Sequence, residues 1–123
     1  MTVRPGDKVT ASIVKVGGRS WKISISIAGR GSFTTTRTYN GSADTAEWIV
    51  EAPTVGWRTA PLAHHSRVRF DVLRANKLNP RLSSSQSGAM VQRGVRVATP
   101  SIPDPQRDGF AVARSASAPP APH

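Results

Sequence analysis

The chain has 123 residues, enough for one domain or a piece of one, and its 37% hydrophobic and 6% aromatic content allows a small, ordinary core. It has no cysteine, which excludes disulfides and thiolate metal sites, and no apolar run approaches the roughly 20 residues that a membrane span needs. The formal net charge is +10, from 17 Lys and Arg against seven Asp and Glu, yet the basic residues are spread singly and not interleaved with aromatics, which favours a solvated basic surface over a nucleic-acid interface.

Alternation with period two dominates, and no long helical pattern competes with it. The N-terminal Met1–Asp7 has no apolar core of a signal peptide. Lys8 to Val16 reads as a strand, and Gly17-Gly18 as a hairpin turn into Trp21–Ile27. In that second strand Trp21, Ile23, Ile25 and Ile27 share one face, while Lys22, Ser24 and Ser26 share the other. Gly29-Arg30-Gly31 turns the chain into a Thr-rich strand, Ser32–Tyr39, and Asn40-Gly41 is a further turn signal. Ala46–Glu51 is expected as a fourth strand, ended by Pro53, whose missing N–H cannot continue a ladder. A loop from Thr54 to His65 precedes a fifth strand over Arg67–Leu73, with Val68, Phe70 and Val72 alternating against Arg67, Arg69 and Asp71. After a polar loop through Asn79-Pro80 and Ser83-Ser84-Ser85, Met90–Ala98 is a sixth strand and Gly109–Ala113 a seventh. Pro100, Pro103 and Pro105 mark an irregular connection, and Ser115–His123 has the composition of a disordered tail. The fold class expected is all-β, an antiparallel sandwich over residues 5–114 followed by the tail 115–123.

Chemistry concentrates on Ala46–Glu51. In an extended strand Glu47, Ile49 and Glu51 point to one side, and Ala46, Trp48 and Val50 to the other. Two carboxylates four residues apart are about 13 Å apart at their Cα atoms, too far to share a proton. Each therefore needs a partner from elsewhere, or is an ordinary glutamate on a wet sheet face. His64 and His65 are adjacent and lack a third ligand, so surface histidines are expected rather than a metal site. Asp71, His64 and a serine do not make a hydrolase triad, because no nucleophile-elbow glycine pattern accompanies them.

The segment Tyr39-Asn40-Gly41, followed by Thr45-Ala46-Glu47-Trp48-Ile49-Val50-Glu51-Ala52-Pro53, resembles the signature around the catalytic glutamate of the eqolisins, a family of glutamic endopeptidases. Pro5-Gly6-Asp7-Lys8-Val9, Trp21 with Ile23 and Ile25, Ser32-Phe33, and Pro61-Leu62-Ala63 before Val68-Arg69-Phe70 resemble other parts of the same family in the same order. The likeness covers residues 5 to 75 well and the rest loosely. It implies a concanavalin-like β-sandwich, incomplete in this chain, and peptide hydrolysis at acidic pH without cofactor or metal. In the family a glutamate activates a water as general base and then protonates the leaving amine, while a glutamine amide orients the water and stabilises the oxyanion. By resemblance Glu51 is the catalytic glutamate, and Glu47 a neighbour behind it or in the substrate groove.

Two departures follow from the same comparison. The family's catalytic glutamine belongs to a region upstream of Pro5, and Gln86, Gln92 and Gln106 match nothing in that role. His64-His65-Ser66 stands where the family often has Asp, an aromatic and Gly. The resemblance thus implies the C-terminal half of a peptidase domain, inactive alone, acting on peptide or protein substrates. It implies an extracellular setting, with no membrane partner and no nucleic acid. The rival reading is a non-catalytic β-sandwich binding module with a basic surface.

Overall fold

The computed structural model describes residues 1–123, and the chain divides into two compact units, Met1–Asp44 and Thr45–His123.

In the first unit β1 (Val9–Gly17), β2 (Ser20–Ile27) and β3 (Gly31–Thr38) form an antiparallel meander in the order β1-β2-β3. The strand entry is built by a tight turn: Pro5 supplies a fixed φ, Gly6 takes φ 85°, and the Asp7 N–H donates to the Arg4 carbonyl at 3.1 Å. The Asp7 carboxylate accepts from the Arg4 N–H at 2.7 Å and pairs with Arg30 at 3.1 Å, tying the start of β1 to the β2–β3 turn. In register, Ile13 pairs with Ile23, Ala11 with Ile25 and Val9 with Ile27, and across the next ladder Ile25 pairs with Phe33. One face is therefore apolar. The other carries Ser24 opposite Thr34, whose hydroxyls bond at 3.1 Å. Lys15 sits 5.9 Å from the ring centre of its partner Trp21, which also meets Tyr39 edge-on at 6.5 Å. β2, the middle strand of three, is shielded except at Lys22, whereas every residue of β1 is exposed.

The second unit is a four-stranded antiparallel sheet in the order β6-β9-β8-β7, with β6 Val68–Phe70, β7 Met90–Gln92, β8 Val95–Pro100 and β9 Phe110–Ala113. A two-residue hairpin, β4 Thr54–Val55 and β5 Arg58–Thr59, precedes it. Its core is small: Ala52, Leu62, Ala98 and Val112 are buried, with Val50, Phe70, Met90, Val97 and Phe110 packed around them. The Phe70 and Phe110 rings stack with centroids 4.8 Å apart, where β6 and β9 pair these residues.

Four expectations are corrected here. The run Met90–Ala98 is a hairpin, not one strand, because Arg93 (φ 52°) and Gly94 (φ 76°) form a two-residue turn with both φ positive. The fifth strand shrinks from Arg67–Leu73 to Val68–Phe70, because Val72 adopts φ 52° and leaves the extended region. The Thr54–His65 loop contains the β4–β5 hairpin around Gly56 (φ 62°). Ala46–Glu51 joins no ladder, since no strand lies alongside it to take up its backbone groups. The segment 115–123 meets the sheet through Thr99 Oγ1, which donates to the Ser115 carbonyl at 2.7 Å, and through Arg69, which donates to the His123 carbonyl at 2.6 Å.

Candidate active site

Within the second unit, Ala46–Glu51 forms one wall of a cavity of about 770 Å³. The alternation expected of this segment persists without a ladder: Trp48 and Val50 are half-buried, while Glu47, Ile49 and Glu51 are exposed. The buried Ala52 anchors its end in the core cluster. Ala98, Pro100, Phe110 and Val112 of β8 and β9 supply an apolar floor.

The opposite wall runs from Leu82 to Met90 and includes a 3₁₀ turn, Ser84–Gln86. Its position is set by the loop before β9. Arg107 donates to the Leu82 and Arg81 carbonyls, each at 2.8 Å; the Leu82 N–H returns a bond to the Arg107 carbonyl at 2.9 Å; and Asn79 donates to the Gln106 carbonyl at 2.8 Å. Asp104 holds that loop from inside. Its carboxylate accepts the Asp108 N–H at 3.1 Å, and its backbone N–H donates to the Gly109 carbonyl at 2.9 Å.

Both glutamates singled out in the sequence therefore belong to a segment that lines one cavity, and neither takes part in the chain's three ion pairs, Arg30–Asp7, Arg69–Asp71 and Arg74–Asp108. The cavity's hydroxyls are committed elsewhere. Ser101 Oγ donates to the Ile102 carbonyl at 2.6 Å and accepts the Ala111 N–H at 3.0 Å, and Ser87 Oγ donates to the Ser84 carbonyl at 2.8 Å. Glu47 and Glu51 thus supply the charged, uncommitted oxygens of the site.

Gln86, which the sequence placed in no role, lines the same cavity. Its Oε1 accepts the Ser83 N–H at 2.8 Å, which leaves both amide N–H donors and one lone pair of that oxygen open. A polar residue three positions after Ser83 signals such a turn, but nothing in the sequence connects that turn to Glu51. Gln92 is structural: its Nε2 donates to the Ala60 carbonyl at 2.9 Å and its Oε1 accepts the Leu62 N–H at 3.1 Å. Gln106 is exposed and does not line the cavity.

His64 is exposed; His65 is half-buried, its Nδ1 2.6 Å from the Ser66 carbonyl and its Nε2 without a hydrogen-bond partner. Neither lines the cavity. Away from it, carboxylate oxygens of Asp71, Asp104 and Asp108 lie within 4.8 Å of one another. Arg74 pairs with Asp108 and Arg69 with Asp71, so arginines offset much of this charge, and the Asp104 bonds above account for its burial as a loop brace.

A model of the peptidase A4 family matches residues 1–107. Among solved structures, the aspergilloglutamic peptidase from Aspergillus niger is similar to this chain with a TM-score of 0.70 and 20% identity, over 94% of this chain and 70% of that one. At that identity the likeness speaks for the fold, an all-β architecture of antiparallel sheets in keeping with a β-sandwich. No curated protein matches the chain by sequence. With the family model spanning most of its length and the glutamate motif on a cavity wall, the chain belongs to the peptidase A4 family, the eqolisins.

Proposed function

We propose that this chain is the Glu-bearing part of a glutamic endopeptidase, with Glu51 as general base. The observation that carries the reading is a motif glutamate without an ion-pair partner on the wall of a cavity large enough for several peptide residues. The Glu51 carboxylate takes a proton from a water as that water attacks the scissile carbonyl, and returns it to the leaving amine. An amide must position the water through its oxygen and hold the developing oxyanion through its N–H group. Gln86 lines the opposite wall with its oxygen bonded to the Ser83 N–H, and does not match the family's glutamine in sequence. On this reading the chain alone is inactive, or slower by about a hundredfold or more. Glu47 belongs to the substrate groove. Substrates are peptides or unfolded proteins at acidic pH, in an extracellular setting.

The test mixes the purified chain with the part of the Aspergillus niger peptidase that lies outside the matched 70% of its length. Cleavage of acid-unfolded casein is expected from the mixture, not from either component, and is lost with Glu51→Gln. Hydrolysis that persists in Glu51→Gln removes Glu51 from the mechanism.

A further inference from the structure

The four-stranded sheet has two faces, and they are used differently. Ala98, Pro100, Phe110 and Val112 line the cavity, so alternation along β6, β8 and β9 puts Arg69, Thr99, Ala111 and Ala113 on the reverse face. There Arg69 pairs with Ala111 across one ladder, and Thr99 with Ala113 across the other. The reverse face is not bare: Thr99 is 6% exposed and Ala111 2%. The segment 115–123 is fastened to it at both ends. Thr99 Oγ1 donates to the Ser115 carbonyl at 2.7 Å, with the Ala116 carbonyl also in reach at 3.2 Å, and Arg69 donates to the His123 carbonyl at 2.6 Å. Pro122 is buried, and Pro119 and Ala121 are half-buried. We propose that this face is a binding site for a short proline-rich segment, and that the chain's own tail masks it.

The match is one of donors to acceptors. The tail has nine carbonyls but six backbone N–H groups, because Pro119, Pro120 and Pro122 have none. An extended proline-rich chain makes no internal hydrogen bonds, so its carbonyls need donors from outside. Both side chains that meet the tail supply them: Arg69 has donors only, and the Thr99 hydroxyl is turned to carbonyls. Asp71 lies 3.0 Å from the Arg69 guanidinium and holds it in place, so little order is lost when a carbonyl arrives. β9 lies between the two anchoring strands, and its Ala111 and Ala113 are small enough for another backbone to come close. The prolines contribute through their fixed φ, which leaves the segment less freedom to lose on docking.

None of these contacts requires a covalent link between tail and sheet. The link places the tail at an effective concentration of about 1 mM, so a free segment competes poorly with it. The site is thus self-masked, open to another proline-rich segment only when the tail is drawn away. This reading is independent of the role given to Glu51, because the cavity lies on the other face of the sheet.

Fluorescence anisotropy on the full chain, with a labelled peptide of the sequence of residues 115–123, tests this. Pro119→Gly, Pro120→Gly and Pro122→Gly together release the chain's own tail and free the face. That variant is expected to bind the peptide at least about tenfold more tightly than the unaltered chain, whose tail holds the site. Adding Thr99→Val removes the hydroxyl at nearly constant shape and weakens binding about three- to tenfold, whereas Thr99→Ser keeps the hydroxyl and restores it. A peptide with the same three glycines is expected to bind neither chain. Equal binding by the unaltered chain and the variant, binding by neither, or an affinity untouched by Thr99→Val overturns the proposal. A glycine peptide that binds as well as the proline one overturns it too.

Discussion

Gly109 sits where the loop before β9 folds back on β6. A Cβ built there would meet the Phe70 carbonyl at 2.9 Å and the Asp104 carboxylate closer still. Neither neighbour yields easily: one is backbone in a ladder, and the other accepts the Asp108 N–H. Gly109→Ala is therefore expected to lower stability by about 1–3 kcal/mol, read as a shift of the urea midpoint at unchanged slope. The brace it disturbs also positions residues 79–82, the lead-in to the cavity wall, so peptide affinity should fall with it. At this scale the sequence was partly legible. The motif identified Glu47 and Glu51 as the residues to watch, and alternation put both on one side. Gln86 was not legible, because its place across the cavity from them depends on contacts between segments more than thirty positions apart.

Among the elements, period-two patterning worked where neighbours in space are neighbours in sequence. Trp21–Ile27 became β2, Ser20–Ile27, and the Gly-rich signals on either side of it turned the chain as expected. The reading faltered where a turn lacks its usual residues. Arg93-Gly94 has no Asn or Asp at its first position, so a hairpin passed for a continuous strand. It also faltered at Ala46–Glu51, whose pattern describes which side faces the core but not whether a strand lies alongside. Gln92 shows how a side chain takes the place of a strand. Its amide bonds both the Ala60 carbonyl and the Leu62 N–H, which fastens the loop containing the buried Leu62 to β7. Removing it in Gln92→Ala leaves two half-buried backbone groups without partners and is expected to cost about 1–3 kcal/mol. Hydrogen exchange gives the local reading: the Leu62 amide should lose protection while the β2 amides keep theirs.

On the scale of the whole molecule, a charge of +10 works against the apolar surface of the first unit. Its sheet ends on β1, which exposes Val9 and Ile13 on one face and Val14 on the other, and whose outer edge has no strand beside it. Such an edge favours pairing with another copy, and net charge resists it. Residues 1–44 contribute seven Lys and Arg against two Asp. The expected outcome is a monomer at low ionic strength that associates as salt is added, followed by light scattering. Val14→Lys places a charge on the exposed strand and should keep the chain monomeric into higher salt; association unaffected by that change would point away from β1 as the contact.

The Gln92 clamp has a further consequence. By tying residues 60–62 to β7, it couples the loop that carries the buried Leu62 to one margin of the four-stranded sheet. Deamidation of Gln92 to a glutamate would set a carboxylate oxygen against the Ala60 carbonyl, where an N–H now donates. Slow chemical ageing at this one amide would then loosen the loop from the sheet without any change in the gene.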